Sequence, residues 1–404
     1  MRMRVLVLLF TMLLSLLAGC VDNNQKTVDV EATATYDWMA GESPVSNRRI
    51  GVVRQGVNIV NHAVSPTGIY FIPSVIENCG SYSVVADGNY IWYVENGSDK
   101  IIKLCGRADC THNSSDCNAY LYSGTDLTYY NGYLYAVSGE GAHRERCTLV
   151  KMNPDGSNHT AVFDILKFAK ENGGDYAYCD MIINGYCLFS LYRWEVSGNS
   201  IVGTWMEQYR YKLDGSMKEP KKVEGLGGTM YQCGDVLLSC TNETKDGQQY
   251  KACWNLDIEN ETKTYLTEHP GIPGWFGEDA AYYFKDGAIV RLDYSTGEES
   301  VMVNTGLEGK YFASFFPDCM IVSSQEDGAG ADHNLYFYNW DFQLVDTVEL
   351  KFPYEGRTQF VVIAETAERV ILSDKPFDGQ PVYYINKSEL GTGNAKVHKF
   401  VMPG

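Results

Sequence analysis

Residues 104–122 read LCGRADCTHNSSDCNAYLY, and Cys105, Cys110, His112 and Cys117 fall within thirteen positions of one another. Thiolates and an imidazole are soft donors that suit a tetrahedral ion. Four of them leave no open position, so the site they form is structural rather than catalytic, and zinc is the ion they fit. The C-x4-C-x-H-x4-C spacing is not a standard knuckle, and two residues from Cys110 to His112 demand a tight turn if both bind one ion. A disulfide between two of the three cysteines is the competing chemistry, favoured outside the reducing cytosol. Unjoined thiols are a third. A catalytic thiol needs a group orienting its imidazole and donors for an oxyanion, and the stretch supplies only Asp109 and Asp116 nearby. The expectation is therefore a staple, through a disulfide or one structural zinc.

Aromatic side chains are the second set able to recognise a ligand. Trp194 and Trp205 bracket the connection RWEVSGNSIVGTW, and Trp275 follows the turn HPGIPGW. Exposed tryptophans stack on sugar rings or anchor peptides, so these three are candidate ligand-binding residues; packing between strands is the competing role. No nucleophile elbow, zinc-protease helix, P-loop or dinucleotide fingerprint occurs. QEDGAGADHN (325–334) does not match the calcium loop of an EF-hand and reads as a solvated loop. Glycoside cleavage needs two acids at a set separation, and nothing in the sequence nominates two among 51. No catalytic residue is assigned.

The elements that position these residues come from a repeat. YIWYVENGSDKIIKL (90–104), TLVKMNPDGSNHTAVF (148–163), YRYKLDGSMKEPKKV (209–223) and YKACWNLDIENETKTYL (250–266) each read strand, turn, strand. AIVRLDYSTGEESVMV (288–303), LYFYNWDFQLVDTVEL (335–350) and VYYINKSELGTGNAKVHKF (382–400) do the same. The copies start about 50 residues apart, a repeat-array period. Several follow another hairpin, turned at Asn131-Gly132, Asn184-Gly185 or Gly234-Asp235; Asn-Gly favours type I′ turns because both positions need positive φ. Two hairpins per repeat predict an all-β, seven-bladed β-propeller of four-stranded antiparallel blades. In YRYKLDG, residues 209, 211 and 213 should face one neighbouring blade and 210 and 212 another. DILKFAKENGG (164–174) is the best helix candidate. Cys179 and Cys187 flank one hairpin, and Cys233 and Cys240 the next. Buried small hydrophobes are favoured for both pairs over cross-strand disulfides. Sequence nominates no partner for Cys79, Cys147, Cys253 or Cys319.

The N-terminus bears on compartment. MRMR followed by VLVLLFTMLLSLL and LAGC has the order of a signal peptide. LAGC (Leu17, Ala18, Gly19, Cys20) resembles the lipobox of bacterial lipoproteins, which implies acylation of Cys20 and a lipid-anchored protein on the extracytoplasmic face of the membrane. The expected organisation is a signal peptide over 1–19, a lipidated N-terminus and polar tether over 20–56, and a propeller over 57–404. The whole chain carries a formal charge of −18; without residues 1–19, 51 acids face 31 bases and the charge is −20. Such a field repels nucleic acid. The chain is expected to be monomeric.

The turns Asp155-Gly156-Ser157-Asn158 and Asp214-Gly215-Ser216 resemble those of propellers in bacterial lipoproteins and, more distantly, in low-density-lipoprotein-receptor-related proteins. Later copies depart from this pattern at Asp257, Asp293 and Asp341, and the YWTD tetrapeptide is absent, so ligand behaviour does not carry over. Leu104-Cys105, Cys110-Thr111-His112 and Cys117-Asn118-Ala119-Tyr120 resemble a segment of surface lipoproteins of gut Firmicutes. The resemblance implies a fold and no chemistry. Two function classes follow: a binding or scaffolding module for an extracellular protein or glycan, and, as the alternative, a polysaccharide hydrolase or lyase with carboxylates in the central channel.

Overall fold

The Asn-Gly turns form as their chemistry dictates: φ is +48° and +79° at Asn131 and Gly132, and +52° and +77° at Asn184 and Gly185. They join the first two strands of blades two and three in the computed structural model. That structure describes residues 53–55, 61–72, 89–122, 125–139, 147–197, 200–223, 229–233, 236–245, 248–269, 274–277, 279–324, 332–350, 361–373 and 383–401. Residues 1–52, with Cys20, lie outside them, as do Cys79 and the turn at Gly234-Asp235.

Seven antiparallel sheets of consecutive strands make the propeller. Blade one holds Asn61–Ser65, Gly68–Ile72, Trp92–Glu95 and Ile102–Lys103. Blade two holds Thr125–Tyr130, Tyr133–Ser138, Thr148–Met152 and Thr160–Asp164. Blade three is longer, with Tyr176–Ile183, Tyr186–Ser197, Ser200–Lys212 and Lys221–Lys222. Blade four, Thr229–Cys233 to Thr262–His269, carries a fifth strand, Val53–Gln55, on its first. The folded unit thus begins before residue 57, inside the expected tether. Blades five, six and seven run Trp275–Phe276 to Glu299–Asn304, Tyr311–Phe315 to Leu344–Glu349 and Val361–Glu365 to His398–Lys399. All seven sequence copies are the third and fourth strands of a blade. The helix forms at Ile165–Glu171 between blades two and three, capped where Asp164 Oδ1 accepts from the Lys167 N–H at 2.8 Å.

Apolar side chains gather into seven clusters among the described residues, one at each blade-to-blade interface. Alternation along each strand sends successive residues to opposite neighbours. Tyr209, Tyr211 and Leu213 join the blade-two interface. Arg210 Nη2 and Lys212 Nζ reach Glu261 and Glu259 of blade four instead. Among the described residues, ring closure uses face packing rather than a shared strand. Ile69, Phe71, Val94 and Ile101 pack on Ile363, Ile371, Tyr384 and Phe400. Val401 forms a parallel bridge with Lys100, and the Arg369 guanidinium, lying 4.2 Å over the Tyr384 ring, reaches the Ser98 carbonyl.

Candidate metal centre

Ile91 sets the base of the cysteine stretch. Its N–H donates to the Ala119 carbonyl at 2.8 Å, and its carbonyl accepts from Leu104 N–H at 2.9 Å. One fully buried residue thereby pins both ends of the crossing from blade one to blade two. A short ribbon, Asn89–Tyr90 against Tyr120–Leu121, extends this clamp. The turn of blade two docks beside it. A Cβ on Gly156, where φ is +79°, would lie 2.4 Å from the Leu104 carbonyl and 3.0 Å from that of Asn118. Glycine is therefore required in the Asp155-Gly156-Ser157 turn.

Within the clamped crossing, the thiols of Cys105, Cys110 and Cys117 and the His112 ring converge. One donor atom from each lies within 4.8 Å of all the others. The tight turn demanded by the Cys110–His112 spacing is present, with His112 at φ +54°. The His112 N–H donates to Cys110 Sγ at 3.4 Å, and His112 Nδ1 lies 3.6 Å from Cys117 Sγ. Lys103 holds the turn from below, its Nζ donating to the His112 carbonyl at 2.5 Å while resting 4.1 Å over the Tyr90 ring. Arg107 Nη1 donates to the Asp116 carbonyl at 2.8 Å across the mouth of the crossing. Cys117 is buried; the other three donors are half-buried. No disulfide joins any two of the three cysteines.

Burial raises the Cys105 thiol, but backbone N–H groups of Arg107 and Asn118, with the Cys110 and Cys117 thiols, outweigh it and hold Cys105 below the usual thiol range. Burial pushes Cys117 up to about 11, and its two thiol neighbours add to the rise. The shifts of Cys105 and Cys117 thus run in opposite directions within one cluster. A divalent ion held here would reverse the Cys117 shift, because a coordinating thiol loses its proton outright. Zn–S bonds of about 2.3 Å place tetrahedral sulfurs ~3.8 Å apart, so the donors need only a small contraction. The Cys3His cluster can coordinate a metal. Apolar packing ties the crossing to both blades: Cys117, Ala119 and Leu121 join one cluster with Tyr70 and Ile72 of blade one and Leu134 and Met152 of blade two.

The tryptophans separate. Trp275 is a correction: it is fully buried, 4.8 Å from Trp340 between blades five and six, because strand alternation sends it into the blade-six interface while Phe276 enters that with blade four. Trp194 is half-buried and stacked 6.5 Å from Tyr176. Trp205 lies opposite Arg193 in the strand register, and its side chain is outside the described ones. Among the cysteines, Cys179 and Cys187 are buried as expected, their sulfurs 3.7 Å apart. Cys233 and Cys240 are not partners. The register sets Cys240 against Cys253 and Cys233 against Val236.

Two groups of charged residues had no sequence signal. Asp126, at φ +54°, and Asp180 lie on the first strands of blades two and three, each where the register shifts. Burial raises Asp180 to about 7, opposed by hydrogen bonds from Ser190 and Gln208 and helped by the Asp126 charge. Ser190 Oγ donates to Asp180 Oδ2 at 2.6 Å. Because this carboxyl sits above its unfolded value, the stability it lends is complete in acid and is lost as pH climbs through about 7. Denaturant titrations from pH 4 to pH 8 should show wild type weakening relative to Asp180→Asn by up to about 4 kcal/mol, one pKa unit being worth ~1.4. Parallel curves would refute the shift. The second group, Lys387 with Glu365 and Asp318, joins blades six and seven.

No family model matches the chain, and no curated protein matches it. Among solved structures it is similar to TolB from Acinetobacter baumannii, at 12% identity over 63% of this chain and 57% of that one, with a TM-score of 0.29. It is also similar to a Mycobacterium tuberculosis puromycin-hydrolyzing peptidase, at 10% identity, 82% and 55% coverage and a TM-score of 0.42. A third is an oligogalacturonate lyase in complex with manganese, at 12%, 69% and 75%, and 0.36. The chain spans little more than half of the first two. Likenesses this remote assign no residue role here.

Proposed function

We propose that the chain is a lipid-anchored, extracytoplasmic propeller that binds a glycan through blade three, its first inter-blade crossing held by one structural zinc. The observation that carries the binding reading is the middle hairpin of blade three. Its strands run 12 and 13 residues, against 6 and 6 in blade five and 5 and 5 in blade six. The extra length carries a half-buried aromatic group: Tyr192 lies opposite Tyr176 in register with rings 6.2 Å apart, and Trp194 stacks beyond it. Asp175 Oδ2 fixes the strand there by accepting from Trp194 N–H at 2.7 Å. Rings held by their backbone offer flat apolar area with polar edges, which suits sugars. A panel of neutral and acidic oligosaccharides titrated against the full chain tests this. Trp194→Ala should weaken binding at least tenfold, as for a lost base-sized stacking contact, without changing the fold. Equal binding by the variant, or no binding by wild type, overturns it. Support for the anchor is the LAGC sequence; Cys20→Ala should then release the protein from membranes.

A second reading, a polysaccharide hydrolase or lyase, is favoured by Asp126 and Asp180. An acid raised to about 7 beside a second carboxylate suits general acid–base work on a glycosidic bond. Cleavage of the same panel, abolished by Asp180→Asn, would select it.

A further inference from the structure

The strand register brings two cysteines together that lie thirteen residues apart in the chain. Cys240 and Cys253 sit directly opposite each other on the middle strands of blade four, with sulfurs 2.9 Å apart. Residues facing each other in an antiparallel pair have Cα atoms about 4.5–5.5 Å apart. A disulfide spans Cα separations of about 4.4–6.8 Å, so the backbone already has the required span. Both side chains are buried at the interface with blade five, packed against Tyr283 and Val290. A register shift at Cys253/Trp254, against the fourth strand, lies beside the pair. Cys179 and Cys187 lack this arrangement. There the register places Cys179 opposite Phe189 and Cys187 opposite Ile182, with sulfurs 3.7 Å apart.

We propose that Cys240 and Cys253 are an oxidisable pair that a small disulfide converts into a cross-strand disulfide, locking the long middle hairpin of blade four. The reaction is thiol–disulfide exchange. One thiolate attacks the oxidant to form a mixed disulfide and releases one thiol; the second cysteine then attacks that mixed bond and releases another. Two thiols are oxidised, one disulfide is reduced, and both protons leave with the released thiols. Burial confines the reaction to the folding chain or to moments when the hairpin opens, and it separates this pair from the half-buried Cys105 and Cys110.

The test uses the full chain, zinc-loaded so that the metal centre's thiols are covered, and exposed to oxidised glutathione. Alkylation in denaturant followed by a non-reducing digest should give one crosslinked peptide joining Cys240 to Cys253. The intact mass should fall by two hydrogens with zinc retained. A second measurement, protease cleavage between the two cysteines, should leave fragments that part only on reduction. Alkylation of both cysteines after the same treatment, with zinc still bound, would sink the proposal, as would a crosslink to any other cysteine. Neither readout depends on which ligand the propeller binds.

Discussion

A chelator should lower the melting temperature of the zinc-loaded chain by several degrees and open the half-buried Cys105 and Cys110 thiols to alkylation. The expectation follows from where the four donors sit. Ile91 already pins both ends of the crossing, so an ion adds little to its path but fixes the Cys110–His112 turn against Cys117. Binding to the folded chain alone stabilises it by about 4 kcal/mol when free zinc stands a thousandfold above Kd. Cys110→Ser is the informative variant, because Cys110 is half-buried and the change opens no cavity. It should abolish zinc binding and leave a stability that no longer responds to chelator. Cys117→Ser should cost more, since Cys117 is itself part of the apolar interface. Metal analysis giving no zinc, or melting unmoved by chelation, would refute the staple.

Replacing Lys387 by Met should cost about 3–5 kcal/mol, the range for breaking a buried ion pair from one side. Lys387 is 3% exposed, and its Nζ lies 2.5 Å from Glu365 Oε1 and 2.6 Å from Asp318 Oδ2. Glu365 ends the first strand of blade seven and Asp318 lies in the turn between the first two strands of blade six, so one ammonium bridges two blades. Burial raises Glu365 to about 7 even with the lysine beside it. Without the lysine the carboxyl stays protonated in acid and must ionise in a dry interface as pH rises. The loss should therefore be smaller at pH 5 than at pH 8. Urea midpoints of wild type and Lys387→Met at the two values check both size and sign; a loss below about 1 kcal/mol at both would show the bridge is idle.

Features written in adjacent residues were legible without coordinates. Asn131-Gly132 and Asn184-Gly185 specify their own φ values, Asp164 its own cap, and the tyrosine-rich repeats the third and fourth strands of every blade. The four metal-site residues could be read for the same reason, since thirteen positions hold them all. What escaped depends on distant strands. Lys387 meets Asp318 across 69 positions, and the pairing of Cys240 with Cys253 instead of Cys233 needed the register of a hairpin of two ten-residue strands. Trp275 looked like a platform because a Pro-Gly turn precedes it. Only the packing of blade six reveals why it is covered.

The closure of the ring also orders the birth of the molecule. Blades one and two and their crossing are complete within the first half of the chain, so the metal centre can assemble while later blades are still being made. The seal cannot: Val401 must reach Lys100, and Arg369 must reach Ser98 across 271 positions. Until blade seven has been made, its apolar face and that of blade one have no cover for each other. During that interval the nascent protein carries uncovered apolar sheet, the state in which partly made chains misassociate.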